Sequence, residues 1–114
     1  MAPPSAILVV DDDSSTRSML SLSLRRAGYR VLTASSGPEA LEVLSKSPCG
    51  ALITDAQMNP MNGFELSRRA KALQPSLRVA MVSAVYDMAD AASLPVEIFF
   101  QKPVPLEAVL AWLK

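Results

Sequence analysis

Four sets of residues in this 114-residue chain could do chemistry together: the triple carboxylate Asp11-Asp12-Asp13, a lone Asp55, the hydroxyl of Ser83 and the amine of Lys102. Histidine is absent. Without it the chain has no Ser-His-Asp or Cys-His nucleophile system, no histidine zinc site and no phosphohistidine of its own. Carboxylate, hydroxyl and ammonium chemistry are left. Carboxylates crowded into one pocket repel each other, and one pKa rises unless a cation relieves them. A hard divalent cation bound by oxygen, Mg²⁺ or Mn²⁺, is the natural relief; Mg²⁺ keeps waters and takes one or two carboxylates plus a phosphate. A carboxylate beside such a cation, with an ammonium and a hydroxyl opposite, suits phosphoryl transfer onto aspartate. That transition state is loose, with charge spread over the phosphoryl oxygens, so alignment and charge neutralisation supply most of the catalysis.

These side chains can meet only if the intervening chain brings them to one edge. Ala6 to Val10 is a continuous apolar run, the pattern of a strand buried on both faces. Asp13-Ser14-Ser15 is an N-cap signal and Gly28 a C-cap, which predicts a helix over 14–27. The Leu/Ser alternation over 19–24 alone would predict a strand. The caps, with Leu20, Leu24 and Ala27 on one helical face, decide for helix. A second strand is expected over 30–33. Gly37-Pro38 then opens a helix to Lys46 with proline in its first turn. A break over 48–50 precedes a third strand over 51–54 that ends at Asp55. A helix over 63–73, a strand over 77–82, a short helix over 86–92, a strand over 96–100 and a closing helix over 105–114 follow.

This alternation predicts an α/β fold, (βα)5: a doubly wound five-stranded parallel sheet with helices on both faces, because parallel neighbours require crossover connections. In such sheets ligands bind beyond the carboxyl ends of the strands, where the strand order reverses. Asp11, Asp12 and Asp13 follow the first strand, Asp55 the third, Ser83 the fourth and Lys102 the fifth.

Composition narrows the classes. The length fits one domain, residues 1–114 with a core over about 6–114, and an apolar fraction of 50% excludes a disordered chain. Eleven basic residues balance eleven acidic ones, so no global field draws the protein to nucleic acid or anionic lipid, and direct nucleic-acid contact is not expected. The apolar run Ala6 to Val10 is far short of the roughly 20 residues of a membrane span. Residues 1–5 carry no basic patch of a secretory signal. The single Cys49 cannot form an internal disulfide, which suits a reducing cytoplasm.

Four motifs stand in order from Ile7 to Lys114: Ile7-Leu-Val-Val-Asp-Asp12, Ile53-Thr-Asp55 with a Met- and Pro-rich loop after it, Met81-Val-Ser-Ala84, and Phe100-Gln-Lys-Pro103. As a set they resemble the receiver domain of bacterial two-component response regulators, the CheY-like family. The resemblance implies a flavodoxin-like sheet of strand order 2-1-3-4-5. It also implies phosphorylation of Asp55 by a sensor histidine kinase or a phosphotransfer protein. By the same resemblance Asp12 and Asp55 ligate Mg²⁺ directly, Gln57 offers its backbone carbonyl, and Asp11 reaches the metal through water. Ser83 matches the switch hydroxyl, Phe99 the switch aromatic, and Lys102 the lysine that pairs with the phosphoryl group ahead of a cis Lys102–Pro103 bond. Output then passes to a downstream protein partner by a change of conformation, with a homodimer as a further arrangement.

The chain also departs from the family pattern. The loop reads Met58-Asn-Pro-Met-Asn-Gly63, with the proline displaced by one position and Asn62 where the family has Asp, so a different loop path beside Asp55 is expected. The stretch from Ser83 to Lys102 is a few residues short, which predicts a short or irregular fourth helix. Phe99 lacks a hydroxyl, and Gln57 and Val85 flank the expected approach of water. Structural roles stand beside each functional one: Asp11–Asp13 as a capping cluster, Asp55 as a turn residue, Ser83 as a loop hydroxyl and Lys102 as a surface amine. Phe99, Phe100 and Trp112 suit packing, Cys49 a structural role, and Arg25, Arg26, Arg30, Arg68, Arg69 and Lys71 solvated helix faces. Two other functions compete: a degenerate receiver that binds partners without phosphorylation, and an aspartate-nucleophile phosphohydrolase. In the second, Asp11-x-Asp13-x-Ser15 supplies Asp11 as nucleophile and Asp13 as general acid.

Overall fold

Strands β1 (Ala6–Val10), β2 (Val31–Ala34), β3 (Cys49–Asp55), β4 (Arg78–Ser83) and β5 (Ile98–Gln101) form one parallel sheet in the order β2-β1-β3-β4-β5. Helices α1 (Ser14–Arg26), α2 (Gly37–Lys46), α3 (Gly63–Leu73) and α4 (Leu106–Leu113) complete this computed structural model, which describes residues 6–85 and 96–114. The alternation is the doubly wound α/β one that the sequence pattern predicts, and the strand order is the flavodoxin-like one that the family resemblance implies. The short helix expected over 86–92 lies outside the described residues.

Side chains alternate across each strand, and here both faces are covered, which is why β1 is apolar at every position. Leu8, Val10, Leu52, Val79 and Met81 face one layer with Ala40 and Leu44 of α2 and Leu66 and Ala70 of α3. Ile7, Val9, Ile53, Ala80 and Val82 face the other, with Leu20 and Leu24 of α1 and Val109 of α4. Each of the Val, Leu, Ile and Met side chains contributes ~1.5–3 kcal/mol by leaving water, and each alanine less. Together they fix the strand tips relative to one another.

Local chemistry sets the helix ends. Asp13 accepts from the Thr16 amide at 3.0 Å, Ser36 from Glu39 at 3.2 Å, and Asn62 from Glu65 at 2.9 Å. Asn62 therefore caps α3 as an aspartate would. Gly28, at φ 98°, turns the chain out of α1 through the left-handed region. The Leu/Ser alternation of α1 resolves as a helix that buries Leu20, Ser21 and Leu24.

Several boundaries differ from expectation. β3 starts at Cys49, because Ala6 faces Cys49 while Ile7 faces Ala51, which leaves Gly50 as an extra residue. A glycine bulge carries the strand through a point expected to break it. β2 and β5 begin later than expected, and β4 extends through Ser83, so that Ser83 closes the strand instead of following it.

Away from the strand tips, Gln74 ties three elements together. Its Nε2 donates to the carbonyls of Leu44 at 2.9 Å and Ser47 at 2.8 Å, and its Oε1 accepts from the Cys49 amide at 2.9 Å. Removing it strands one partly buried donor and two acceptors. Gln74→Ala is expected to lower stability by about 2 kcal/mol in urea unfolding; a loss under about 0.5 kcal/mol would show that water replaces the amide.

Candidate functional site

The connections that follow β1 and β3 run to opposite sides of the sheet, and the gap between them is a crevice at the carboxyl ends of the strands. Backbone bonds extend beyond the strands to pin its rim. Asp11 N donates to Ala34 O at 3.3 Å, Ala56 N to Val82 O at 3.0 Å, and Lys102 N to Ser83 O at 3.0 Å.

Asp11 and Asp55 are each only 5% exposed, whereas Asp12 is exposed. The two buried carboxylates are held alike. Asp11 Oδ1 accepts from the Asp13 amide at 2.9 Å, and Asp55 Oδ1 from the Gln57 amide at 3.2 Å. Their other oxygens turn to Lys102, whose Nζ lies 3.3 Å from Asp55 Oδ2 and 3.9 Å from Asp11 Oδ2. Carboxylate oxygens of Asp11, Asp12 and Asp55 fall within 4.8 Å of one another. Burial pushes the Asp11 carboxyl above its ordinary range; the Asp13 amide opposes this, Asp55 adds to it, Lys102 opposes it and Asp12 adds to it. Ser83 is fully buried beside this group, and its Oγ accepts from the Val85 amide at 3.1 Å.

The structure thus brings together Asp11, Asp12, Asp55 and Lys102, with Ser83 on the neighbouring strand tip. Asp13 does not join them. Its carboxylate accepts from the Thr16 amide and hydroxyl, and these bonds, the hydroxyl first, hold its pKa below the ordinary value. A carboxylate kept ionised in this way is unsuited to be the general acid that the phosphohydrolase alternative requires.

Phe99 leaves the crevice for the α2/α3 layer, its ring 6.1 Å from that of Phe64. Phe100 points the other way, edge-on to Trp112 at 6.4 Å, and the Arg78 guanidinium stacks 4.4 Å over Trp112. Cys49 is buried, and burial raises its thiol pKa. Arg68 and Arg69 lie on a solvated helix face, as expected, and pair with Glu65 along it; Lys71 instead is partly buried and pairs with Glu97, whose carboxylate also accepts from the Val79 amide.

The altered loop after Asp55 holds Met58 in the core, seats Met61 against Gly37 and carries a cis Asn59–Pro60 bond; Lys102–Pro103 is also cis.

Two residues that shape the site carry no chemistry of their own and escaped the sequence reading. A Cβ on Gly63 would lie 2.3 Å from the Asp55 carbonyl oxygen and 2.9 Å from Ala56 Cα, and Gly63 N donates to Ala56 O at 3.0 Å. The first turn of α3 therefore rests directly on the backbone that carries Asp55. Arg17 donates from Nη1 to the Asp11 carbonyl at 2.7 Å. Its signal is positional: helical side chains lean toward the N-terminus, so a long donor one turn into α1 reaches back over the β1–α1 turn.

A flavodoxin-like sheet with an acidic, lysine-bearing crevice at its carboxyl edge defines a class, and comparison with known proteins gives the family. The response regulator receiver domain model matches residues 7–114. The chain belongs to that family. It is 35% identical over 109 residues to the transcriptional regulatory protein GlrR of Escherichia coli K12, covering 93% of this chain and 24% of GlrR. To the response regulator receiver protein CpdR of Brucella abortus it is 38% identical over 77 residues, covering 68% of this chain and 64% of CpdR. The chain thus spans about a quarter of GlrR and just under two thirds of CpdR. The crystal structure of a response regulator receiver protein from Pseudomonas putida matches with a TM-score of 0.90 at 32% identity, covering 99% of this chain and 98% of that one. No helix among the described residues is long and apolar enough to cross a membrane.

Two predictions follow from this geometry. Gly63→Ala is expected to lower stability by about 2–3 kcal/mol, and Gly37→Ala, whose Cβ would meet Met61 at Sδ (2.8 Å) and Cβ (2.9 Å) but no backbone, by a smaller amount, about 1–2 kcal/mol. Paired thermal melts check this, and equal losses would show that α3 shifts freely off Asp55. For Asp11, a raised pKa means that the folded chain holds the proton to higher pH than the unfolded chain. Its contribution is therefore most favourable in acid and declines as pH rises from about 3.8 through the raised pKa. In EDTA at pH 7, Asp11→Asn should raise Tm, because the substitution removes a buried charge that burial disfavours. The gain should shrink toward pH 4; melts that differ equally at both pH values would contradict the assignment.

Proposed function

We propose that residues 6–114 act as one receiver module in which Asp55 accepts a phosphoryl group. The observation that carries this reading is the placement of Lys102 Nζ between the carboxylates of Asp55 and Asp11, in the crevice that Asp12 borders. The donor set suits a hard divalent cation: three carboxylates against one ammonium leave net negative charge, and an oxygen spread of 4.8 Å approaches the ~4 Å between opposite oxygens around Mg²⁺. Asp12, Asp55 and the Gln57 backbone carbonyl would hold Mg²⁺ or Mn²⁺ directly and Asp11 through water. Bound there, the cation would offset the charge that gathers on the phosphoryl oxygens.

The chain's own residues do the rest. An Asp55 carboxylate oxygen attacks the phosphorus of a phosphohistidine or a small acyl phosphate. The phosphorus–nitrogen or phosphorus–oxygen bond breaks, and the leaving group departs with its electron pair. Lys102, already on Asp55 Oδ2, follows the new charge to a phosphoryl oxygen, and the Ser83 hydroxyl takes another. Phe99, two strand positions before Gln101 and packed on Phe64, is placed to pass that shift to the α2/α3 layer. The module catalyses its own phosphorylation and dephosphorylation and turns over no external metabolite.

The donor is a sensor histidine kinase or phosphotransfer protein. In support, an apolar cleft of about 250 Å³ opens between Thr16, Met19 and Leu20 of α1 and the 102–106 segment, with Lys102 in its wall. A downstream protein partner, or a second copy of the chain, reads the switched face, and the module works in the cytoplasm.

Intact mass after incubation with Mg²⁺ and acetyl phosphate tests the reading. One phosphoryl group is expected on the wild type and none on Asp55→Asn. Asp12→Ala should weaken Mg²⁺ binding and slow the reaction, and Lys102→Ala should keep Mg²⁺ binding yet impair transfer. Mg²⁺ binding without any adduct would leave a receiver that acts through partners alone; no Mg²⁺ binding would overturn the site.

A further inference from the structure

The β1–α1 turn that carries Asp11 and Asp12 is restrained at two atoms. The Asp11 side chain is tied at Oδ1 by the Asp13 amide at 2.9 Å, and its main-chain carbonyl by Arg17 Nη1 at 2.7 Å. Arg17 is itself fixed. Its amide donates to Asp13 O at 3.0 Å, and its carbonyl accepts from the hydroxyl of buried Ser21 at 2.7 Å. The Asp11 carbonyl belongs to the peptide that joins Asp11 to Asp12. Holding it fixes the plane of that peptide, and with it the direction in which exposed Asp12 leaves the backbone. A guanidinium suits this task because its planar fork is pre-organised and stays charged at any working pH.

We propose that Arg17 is a positioning residue for the divalent-cation site, acting through the Asp11 carbonyl to orient the Asp12 carboxylate. The inference rests on the reading of Asp11, Asp12 and Asp55 as that site. It assigns Arg17 no contact with the phosphoryl group: Lys102 supplies the positive charge inside the crevice, and Arg17 supplies the geometry of its rim. Partners that orient metal ligands typically change affinity by about 10–100-fold when removed. Arg17 acts one peptide away from Asp12, which places it at the low end of that range.

Isothermal titration of the protein with Mg²⁺ tests this, comparing wild type, Arg17→Met, Arg17→Lys and a surface control, Arg26→Met. Arg17→Met is expected to raise the Mg²⁺ Kd about tenfold. Arg17→Lys, which keeps a donor for the carbonyl, should recover part of the loss, and Arg26→Met should match wild type. In the acetyl phosphate reaction, the half-saturating Mg²⁺ concentration should rise by the same factor while the rate at saturating Mg²⁺ stays within about twofold. A merely structural role would lower the maximal rate or the folded fraction and leave the Kd of the folded protein alone. A folded Arg17→Met protein with wild-type Kd overturns the proposal. If Arg17→Met does not fold, Arg17→Gln is judged by the same criterion. Wild type that binds no Mg²⁺ overturns the cation site itself, whereas normal wild-type binding matched by the variant overturns only the role of Arg17.

Discussion

Like charge at close range is the constraint on which this structure turns. Two carboxylates about 4 Å apart near a protein surface repel by about 4 kcal/mol, a large part of the 5–15 kcal/mol that holds a typical domain folded. Asp11, Asp12 and Asp55 come within 4.8 Å of one another, two of them buried. The fold tolerates this because each buried carboxylate has a backbone amide on one oxygen and Lys102 facing the other. That compensation is incomplete, as the raised Asp11 pKa records. The remaining imbalance is the charge that a divalent cation would offset in the proposed site.

Everything else in the fold serves to keep those charges where they are. The carboxylates sit at the tips of adjacent strands, Asp55 ending β3 and Asp11 and Asp12 just past β1, and the sheet that carries those strands is packed on both faces, so its tips cannot splay. The backbone ladder continues one residue beyond β1, β3 and β5 through the amides of Asp11, Ala56 and Lys102. α3 closes the arrangement by resting its first residue on the peptide after Asp55, an approach open only to a residue without a Cβ. Precision at the crevice is therefore a property of the main chain before it is one of the side chains.

That distinction explains what could be seen in the sequence. The β/α alternation, the helix starts at Ser14, Gly37 and Gly63, and the convergence of Asp11, Asp12, Asp55 and Lys102 were legible because they depend on patterns that local chemistry writes directly: apolar runs, capping residues, and polar groups at strand ends; the strand order came only through the family resemblance. Gly50 was misjudged as a break because a bulge depends on the partner strand, and the partner is not visible in a local window. The same holds for Arg17, Gly63 and Gln74. Each acts on the backbone of a distant or reversed segment, through a contact that no spacing rule describes. Lys71 looked solvated for a similar reason, since Glu97 lies 26 positions along the chain.

Adjacent phenylalanines on β5 divide the molecule optically. Phe99 turns to the α2/α3 layer and Phe100 to the α1/α4 layer, where it meets Trp112. Trp112 is the single tryptophan of the chain, stacked under Arg78, which also donates to its carbonyl. Intrinsic fluorescence excited at the indole is consequently a one-sided signal. It reports how α4 is seated on the sheet, two residues upstream of Lys102 through Phe100, and it is blind to rearrangements confined to the Phe64–Phe99 side.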